Sequence, residues 1–191
     1  MYIVGKLFVI EGSDGSGKAT QTQKLFDRLQ SEGENTRKVE FPNYQSDSSA
    51  LIKMYLNGDF GSDPGNVNPY PASTFYAVDR YASFQTYWGD FYENGGIVIA
   101  DRYTTSNMVH QAAKIIDEAD WYKYLDWLYD LEFVKFQLPV PDCVIFLDMP
   151  PECARRLIAG RPNKSGEYTK DIHERNRFFL ECSYRNSLKV A

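Results

Sequence analysis

The run Gly12-Ser13-Asp14-Gly15-Ser16-Gly17-Lys18 is where residue type and spacing most directly imply chemistry. Its glycines let the backbone turn so that successive N–H groups point inward. Followed by a helix N-terminus, such a turn is an anion site. Lys18 adds a point charge suited to the outer phosphates of a nucleotide. In most loops of this kind a Ser or Thr hydroxyl after the lysine binds magnesium; here the position is Ala19, and the hydroxyl follows at Thr20. A metal-bound hydroxyl at Ala19 is therefore impossible. By chance, Gly-x4-Gly-Lys appears about 5% of the time in a chain this long, at a glycine frequency of about 7%. A preceding strand and a following helix make an accident rarer still.

Three further groups of residues can do chemistry. Asp101-Arg102-Tyr103 follows the apolar run Ile97–Ala100, so an acid and a planar guanidinium stand at a strand C-terminal end, where open α/β sheets bind ligands. A surface ion pair is the plainer alternative. Tyr76 and Arg80 lie four residues apart on one helical face. Arg155, Arg156, Arg161 and Lys164 form a basic cluster. An arginine from it that reached a transferred phosphoryl group would neutralise charge in the transition state; the alternative is a solvated basic helix end. Asp14 lies inside the phosphate loop, where its charge repels phosphates, so it is either a helix cap or a contact to something else.

The elements that must position these groups alternate. Apolar runs at Lys6–Ile10, Lys38–Phe41, Ile97–Ala100 and Val144–Leu147 read as strands. Helical spacing covers Ala19–Gln30, Ser46–Leu56, a long stretch opened by Pro71 and running to about Asn94, Ser106–Ile116, Asp120–Phe136, Pro151–Ile158 and Ile172–Lys189. Gly58–Pro69 and Gly160–Lys170 read as loops. Continuous apolar strands between helices predict an α/β fold with a parallel sheet covered on both faces.

The 191 residues fit one domain, 1–191, and at 43% hydrophobic and 15% aromatic the chain can bury a core without disulfide or metal. A net charge of −5 argues against a general nucleic-acid or anionic-membrane binder. No apolar run approaches the ~18–20 residues of a membrane helix, and no signal peptide is visible. Three cysteines without zinc spacing read as reduced thiols of a cytoplasmic protein.

With Glu11-Gly-Ser-Asp-Gly-Ser-Gly-Lys-Ala-Thr-Gln21, Phe41-Pro42, Asp79-Arg80, Asp101-Arg102-Tyr103 and Phe146-Leu-Asp-Met-Pro-Pro-Glu152 in this order, the chain from Lys6 to about Ala191 resembles the thymidylate kinases, a branch of the nucleoside monophosphate kinases. The resemblance implies a P-loop three-layer α/β/α fold with a small lid at about 160–171. It implies transfer of the ATP γ-phosphoryl group to dTMP with magnesium, and a homodimer. Gly12, Ser13, Asp14, Gly15, Ser16, Gly17, Lys18, Ala19 and Thr20 would hold ATP, with Thr20 on a phosphate. Magnesium would be held by nucleotide oxygens and waters, Asp101 orienting a bound water or Lys18. Asp14 would contact the acceptor sugar, and Arg102, beside Tyr103, the acceptor phosphate. Tyr76 would stack on thymine, Arg80 would bond a base carbonyl, and Phe41 would wall the base pocket; Phe41 and Tyr76 are equally readable as core. Ser106 and Asn107 would face base and sugar. His110 stands where many relatives carry Tyr or Phe beside the deoxyribose, and is equally readable as a surface histidine.

The loop lacks an arginine, so the family pattern assigns the catalytic arginine to the lid, at Arg156 or Arg161. Tyr44 stands where some relatives carry a phosphate-binding Arg, and Asp171-Ile-His-Glu where they often read Asp-Arg-Phe-Glu. The chain stops at Ala191, where relatives continue into one more strand and a loop touching adenine. Another nucleoside or deoxynucleoside monophosphate kinase is the alternative within kinases. A nucleotide-binding switch is the alternative outside them, although the Asn-Lys-x-Asp motif of GTPases is absent.

Overall fold

Four parallel strands carry the fold in the order β2-β3-β1-β4 in a computed structural model that describes residues 4–158 and 171–191. β1 spans Lys6–Gly12, β2 Thr36–Glu40, β3 Ile97–Asp101 and β4 Cys143–Leu147. Ile10 registers with Asp101 on β3 and Gly12 with Leu147 on β4. Because every strand runs the same way, Gly12, Glu40, Asp101 and Leu147 end at one edge of the sheet, and the loops that leave it share that edge.

β1 is central and dry: Leu7, Val9 and Ile10 are buried. One face of the sheet packs Leu7, Val9, Val39, Val98 and Ala100 against aromatic side chains that include Phe41, Phe84, Trp88 and Tyr103. The helices are α1 (Lys18–Ser31), α2 (Ala50–Asn57), α3 (Pro69–Ser83), α4 (Gly89–Glu93), α5 (Thr104–His110), α6 (Glu118–Tyr129), α7 (Pro151–Ile158), α8 (Ile172–Arg175) and α9 (Arg177–Val190). α2, α3 and α8 share a second cluster around Ile52, Tyr55 and Ile172, and α6 holds a third around Trp121, Tyr124 and Leu128. β4 is different: Val144 and Ile145 on this outer strand are each 40% exposed.

Several boundaries differ from the sequence reading. The long helix begins at Pro69, because the Asn68 side chain accepts from Tyr70 N–H and caps it, and its middle, Phe84–Trp88, is π-helical. The 120–136 helix begins at Glu118 behind the Asp117 cap and also ends in a π-helical stretch, Asp130–Lys135. The last helix is two: Asn176 leaves the helical conformation and caps α9 by accepting from Phe179 N–H at 2.9 Å. The proposed lid at 160–171, with Arg161 and Lys164, lies outside the described residues except for Asp171.

Candidate active site

At the carboxyl edge of the sheet a cleft of about 460 Å³ opens between the 12–18 loop, the ends of β2 and β3, and helices α3, α5 and α8. Its floor is the glycine-rich loop. Gly15 and Gly17 have φ of 84° and 90°, left-handed values that glycine takes without steric penalty. At Gly12 a Cβ would stand 2.8 Å from the Leu147 carbonyl oxygen, so β4 and the loop approach too closely for a side chain. Gly17 opens α1 with no side-chain cap, so the first-turn N–H groups of α1 have no intrahelical acceptor and could take an anion. Lys18, only 5% exposed, donates to the Ser13 carbonyl at 2.8 Å and lies 3.6 Å from Asp14 Oδ1. Burial, reinforced by the Arg102 charge, lowers its pKa to about 8, against the pull of Asp14, Glu11 and Asp101.

Arg102 is the second organising group. It holds φ of 70°, a left-handed conformation uncommon for a non-glycine residue. Five contacts over-determine it. Its N–H donates to the Ile10 carbonyl at 3.1 Å, and NH2 donates to Asp14 Oδ1 at 2.5 Å. NH1 lies 3.0 Å from Glu11 Oε1, 3.1 Å from Ser106 Oγ and 3.2 Å from His110 Nε2. Glu11, buried at the end of β1, also accepts from Gly12 N–H, Thr105 Oγ1 and Ser106 Oγ. Burial alone would raise the Glu11 pKa; Arg102, and then Lys18, outweigh it and hold the carboxyl below its ordinary value. The same balance, with Arg102 again the larger opposing charge, keeps Asp14 ionised. His110 is the reverse: burial and the Arg102 charge lower it to about 4, so it is a neutral imidazole at neutral pH. Arg102 can only donate, so His110 Nε2 is the acceptor and the ring proton sits on Nδ1.

The sequence-derived residues gather as follows. Asp14, Gly15, Gly17, Lys18, Ala19 and Thr20 line the cleft from the loop. Asp101, Arg102, Ser106, Asn107 and His110 line it from β3 and α5, and Tyr76 and Arg80 from α3. Gly12 and Ser16 are buried behind the loop, and Ser13 turns its hydroxyl to the Met149 carbonyl. Phe41 and Tyr103 line the cleft and are also core: their rings meet at 5.8 Å, and the Tyr103 hydroxyl is spent on the Pro139 carbonyl. Arg80 is 1% exposed and bound side-on to Glu132, with Nε and NH2 each 2.6 Å from a carboxylate oxygen. Arg156 is exposed on α7 and is not among the residues lining the cleft.

Glu11 and Glu132, which hold Arg102 and Arg80, are residues that the sequence reading left without a role. Glu11 had a signal, an acid ending an otherwise apolar buried strand; Glu132 had none. Asp171 and His173 on the α8 side line the cleft; Glu11 and Glu132 lie behind it.

The thymidylate kinase family model matches residues 10–190. The chain belongs to the thymidylate kinase family. A thymidylate kinase of Mycobacterium tuberculosis is 32% identical over 171 residues, covering 89% of this chain and 78% of that protein. A probable thymidylate kinase of Thermococcus gammatolerans is 30% identical over 190 residues, covering 98% of this chain and 84% of that one. A solved thymidylate kinase of Candida albicans superposes with a TM-score of 0.72 at 24% identity, covering 98% of this chain and 78% of the other, which supports the fold. The activity is therefore that of a dTMP kinase, moving a phosphoryl group from ATP to dTMP and yielding dTDP. Family members use ATP with a divalent metal, and no helix among the described residues is long and apolar enough to cross a membrane.

Proposed function

We propose that the two sides of the cleft divide the substrates: the 12–20 loop holds the ATP phosphates, and the wall from α3, the end of β3 and α5 holds dTMP. One observation carries this reading. Asp14 Oδ1 touches Arg102 at 2.5 Å and lies 3.6 Å from Lys18, so one carboxylate joins the loop cation to the wall cation. Phosphates bound to each would meet at that junction, the arrangement that positioning catalysis of phosphoryl transfer needs. Tyr76 and Phe41 flank the base, Arg80 and Asn107 read its edge, and Arg102 holds the acceptor phosphate, with Ser106 and His110 beside the sugar.

Among the described residues, no group of three or more His, Cys, Asp or Glu side chains could hold a metal. Magnesium would enter with ATP, held by phosphate oxygens and waters, with Asp101 at the end of β3 to orient a bound water or Lys18 and Thr20 to meet a phosphate. Bound there, the ion would offset phosphate charge. Arg156 or Arg161 supplies the remaining cation. A homodimer fits the exposed Leu51 and Met54 on α2 and Val78 and Tyr81 on α3, and a cytoplasmic setting fits three free cysteines. Equilibrium titration tests the division of substrates. Lys18→Ala should lose ATP affinity and keep dTMP affinity, Arg102→Ala the reverse; equal losses of both ligands in each variant would refute it.

A further inference from the structure

Glu132 is fully buried on the π-helical stretch Asp130–Lys135, and π-helical turns recur at functional sites. Its carboxylate gathers donors from two helices. Arg80 Nε and NH2 each lie at 2.6 Å, Thr104 Oγ1 at 2.7 Å, and Asn107 Nδ2 at a long 3.5 Å. Arg80 and Asn107 both line the cleft; Glu132 does not.

The consequence is a set polarity at each of those two groups. A guanidinium has five N–H donors in a planar fork. The side-on pair engages Nε and NH2, so the NH1 edge is what Arg80 offers the cleft, with the Tyr103 carbonyl only at 3.5 Å. The Asn107 amide is turned so that Nδ2 donates to the Ser73 carbonyl at 3.2 Å and faces Glu132. Both oxygens of this carboxylate already accept, from Arg80 and Thr104, so it admits only the NH2 side of the amide and leaves Oδ1 for a ligand. No donor among the described residues reaches that oxygen. The wall therefore presents a donor at Arg80 and an acceptor at Asn107. Thymine and uracil offer the match, a ring carbonyl beside a ring N–H. Cytosine offers the reverse, an amino group beside a bare ring nitrogen.

We propose that Glu132 is a positioning residue that sets the hydrogen-bond polarity of this wall, so that the site takes thymine- or uracil-type monophosphates and rejects cytosine. The proposal rests on reading the cleft as the acceptor site.

The test is kcat/KM for dTMP, dUMP and dCMP in the wild type, Glu132→Gln, Thr104→Val and Arg80→Ala, each with a thermal midpoint. A glutamine can both donate and accept, so Asn107 gains a second orientation and Arg80 loses its anchor. The preference for dTMP over dCMP should fall by about tenfold or more, through KM rather than kcat, with dTMP and dUMP moving together. Thr104→Val keeps the shape and removes one bond that orients the carboxylate; it should lower the same ratio about two- to fivefold, and it decides the matter if Glu132→Gln does not fold. A purely structural role would lower the midpoint and reduce all three substrates alike. An unchanged ratio in folded Glu132→Gln, or in Thr104→Val where the glutamine variant does not fold, overturns the proposal. Arg80→Ala separates the two levels. If it shifts the ratio and the Glu132 and Thr104 variants do not, only the role of Glu132 falls. If Arg80→Ala also leaves the ratio untouched, the acceptor-site reading falls.

Discussion

The wall that carries Arg80, Arg102 and Asn107 is built unlike the edge formed by β4 and α7. On the wall, Arg80 and Asn107 are almost inaccessible, and every one of these side chains is tied to a buried partner. On the edge, Val144 and Ile145 stand half-open and Arg156 points into solvent. The two regions meet at the loop, where the Ser13 hydroxyl donates to the Met149 carbonyl after β4 and Asp14 pairs with Arg102. The wall is preorganised: its charges are desolvated and paired in the fold, so a ligand bound there would meet fixed dipoles. A cation from the edge acts through water, which screens it. Substitutions on the wall should therefore cost stability and binding together, whereas those on the edge should leave stability alone.

The largest effect is expected where the regions meet. Lys18→Ala should lower kcat about 10²–10³-fold, the loss typical of one charge-stabilising donor, measured by coupled ADP release. Its dTMP affinity should stay near that of the wild type, because Arg102 and not Lys18 is the larger charge holding Glu11 and Asp14. Next comes Arg102→Ala. With the guanidinium on phosphate and not on the base, as proposed, affinity for dTMP and dUMP should fall alike, by about 10- to 150-fold. The same change leaves Glu11 buried without its main partner, so chemical denaturation should show a loss of about 3–5 kcal/mol. A variant that lost affinity with full stability would break the claim that the wall couples the two.

The acidity of Lys18 gives a smaller effect in the wild type. Its pKa is lowered to about 8 in the unliganded site, and phosphate prefers the protonated amine. ATP binding should thus be pH-independent below 8 and weaken above it, by up to about tenfold per pH unit, with proton uptake on binding. Calorimetry in buffers of different ionisation enthalpy reads this directly; constant affinity to pH 10 would contradict it. The smallest effect belongs to the edge. Arg156→Ala should change stability by no more than about 0.5 kcal/mol, and, if α7 supplies the transition-state cation, lower kcat while the KM for dTMP stays put.

How much of this could be read from sequence follows from the range of each interaction. The phosphate loop is local: seven consecutive residues define its turn, and the four strands and their parallel arrangement were legible from apolar runs between helical patterns. Asp101 and Arg102 were legible because a strand end is a place in sequence as well as in space. The partner of Arg80 was not, since Glu132 lies 52 positions away. The π-helical stretch around it also shifts the phase that helical periodicity uses to assign a face. The break at Asn176 was missed for a different reason: Ile172 and Phe179 are both buried, so the apolar spacing runs on across the cap. The left-handed backbone at Arg102 had no sequence signal, because its cause is a set of contacts from β1, the loop and α5.

The central claim is that one cleft brings the ATP phosphates and a dTMP acceptor together at the Lys18–Asp14–Arg102 junction. The most direct test follows ADP and dTDP formation from ATP and magnesium, with dTMP present and with dTMP omitted. The account predicts equal amounts of ADP and dTDP when dTMP is present and almost no ADP without it. ADP release at the same rate in both reactions, with no dTDP formed, would contradict it.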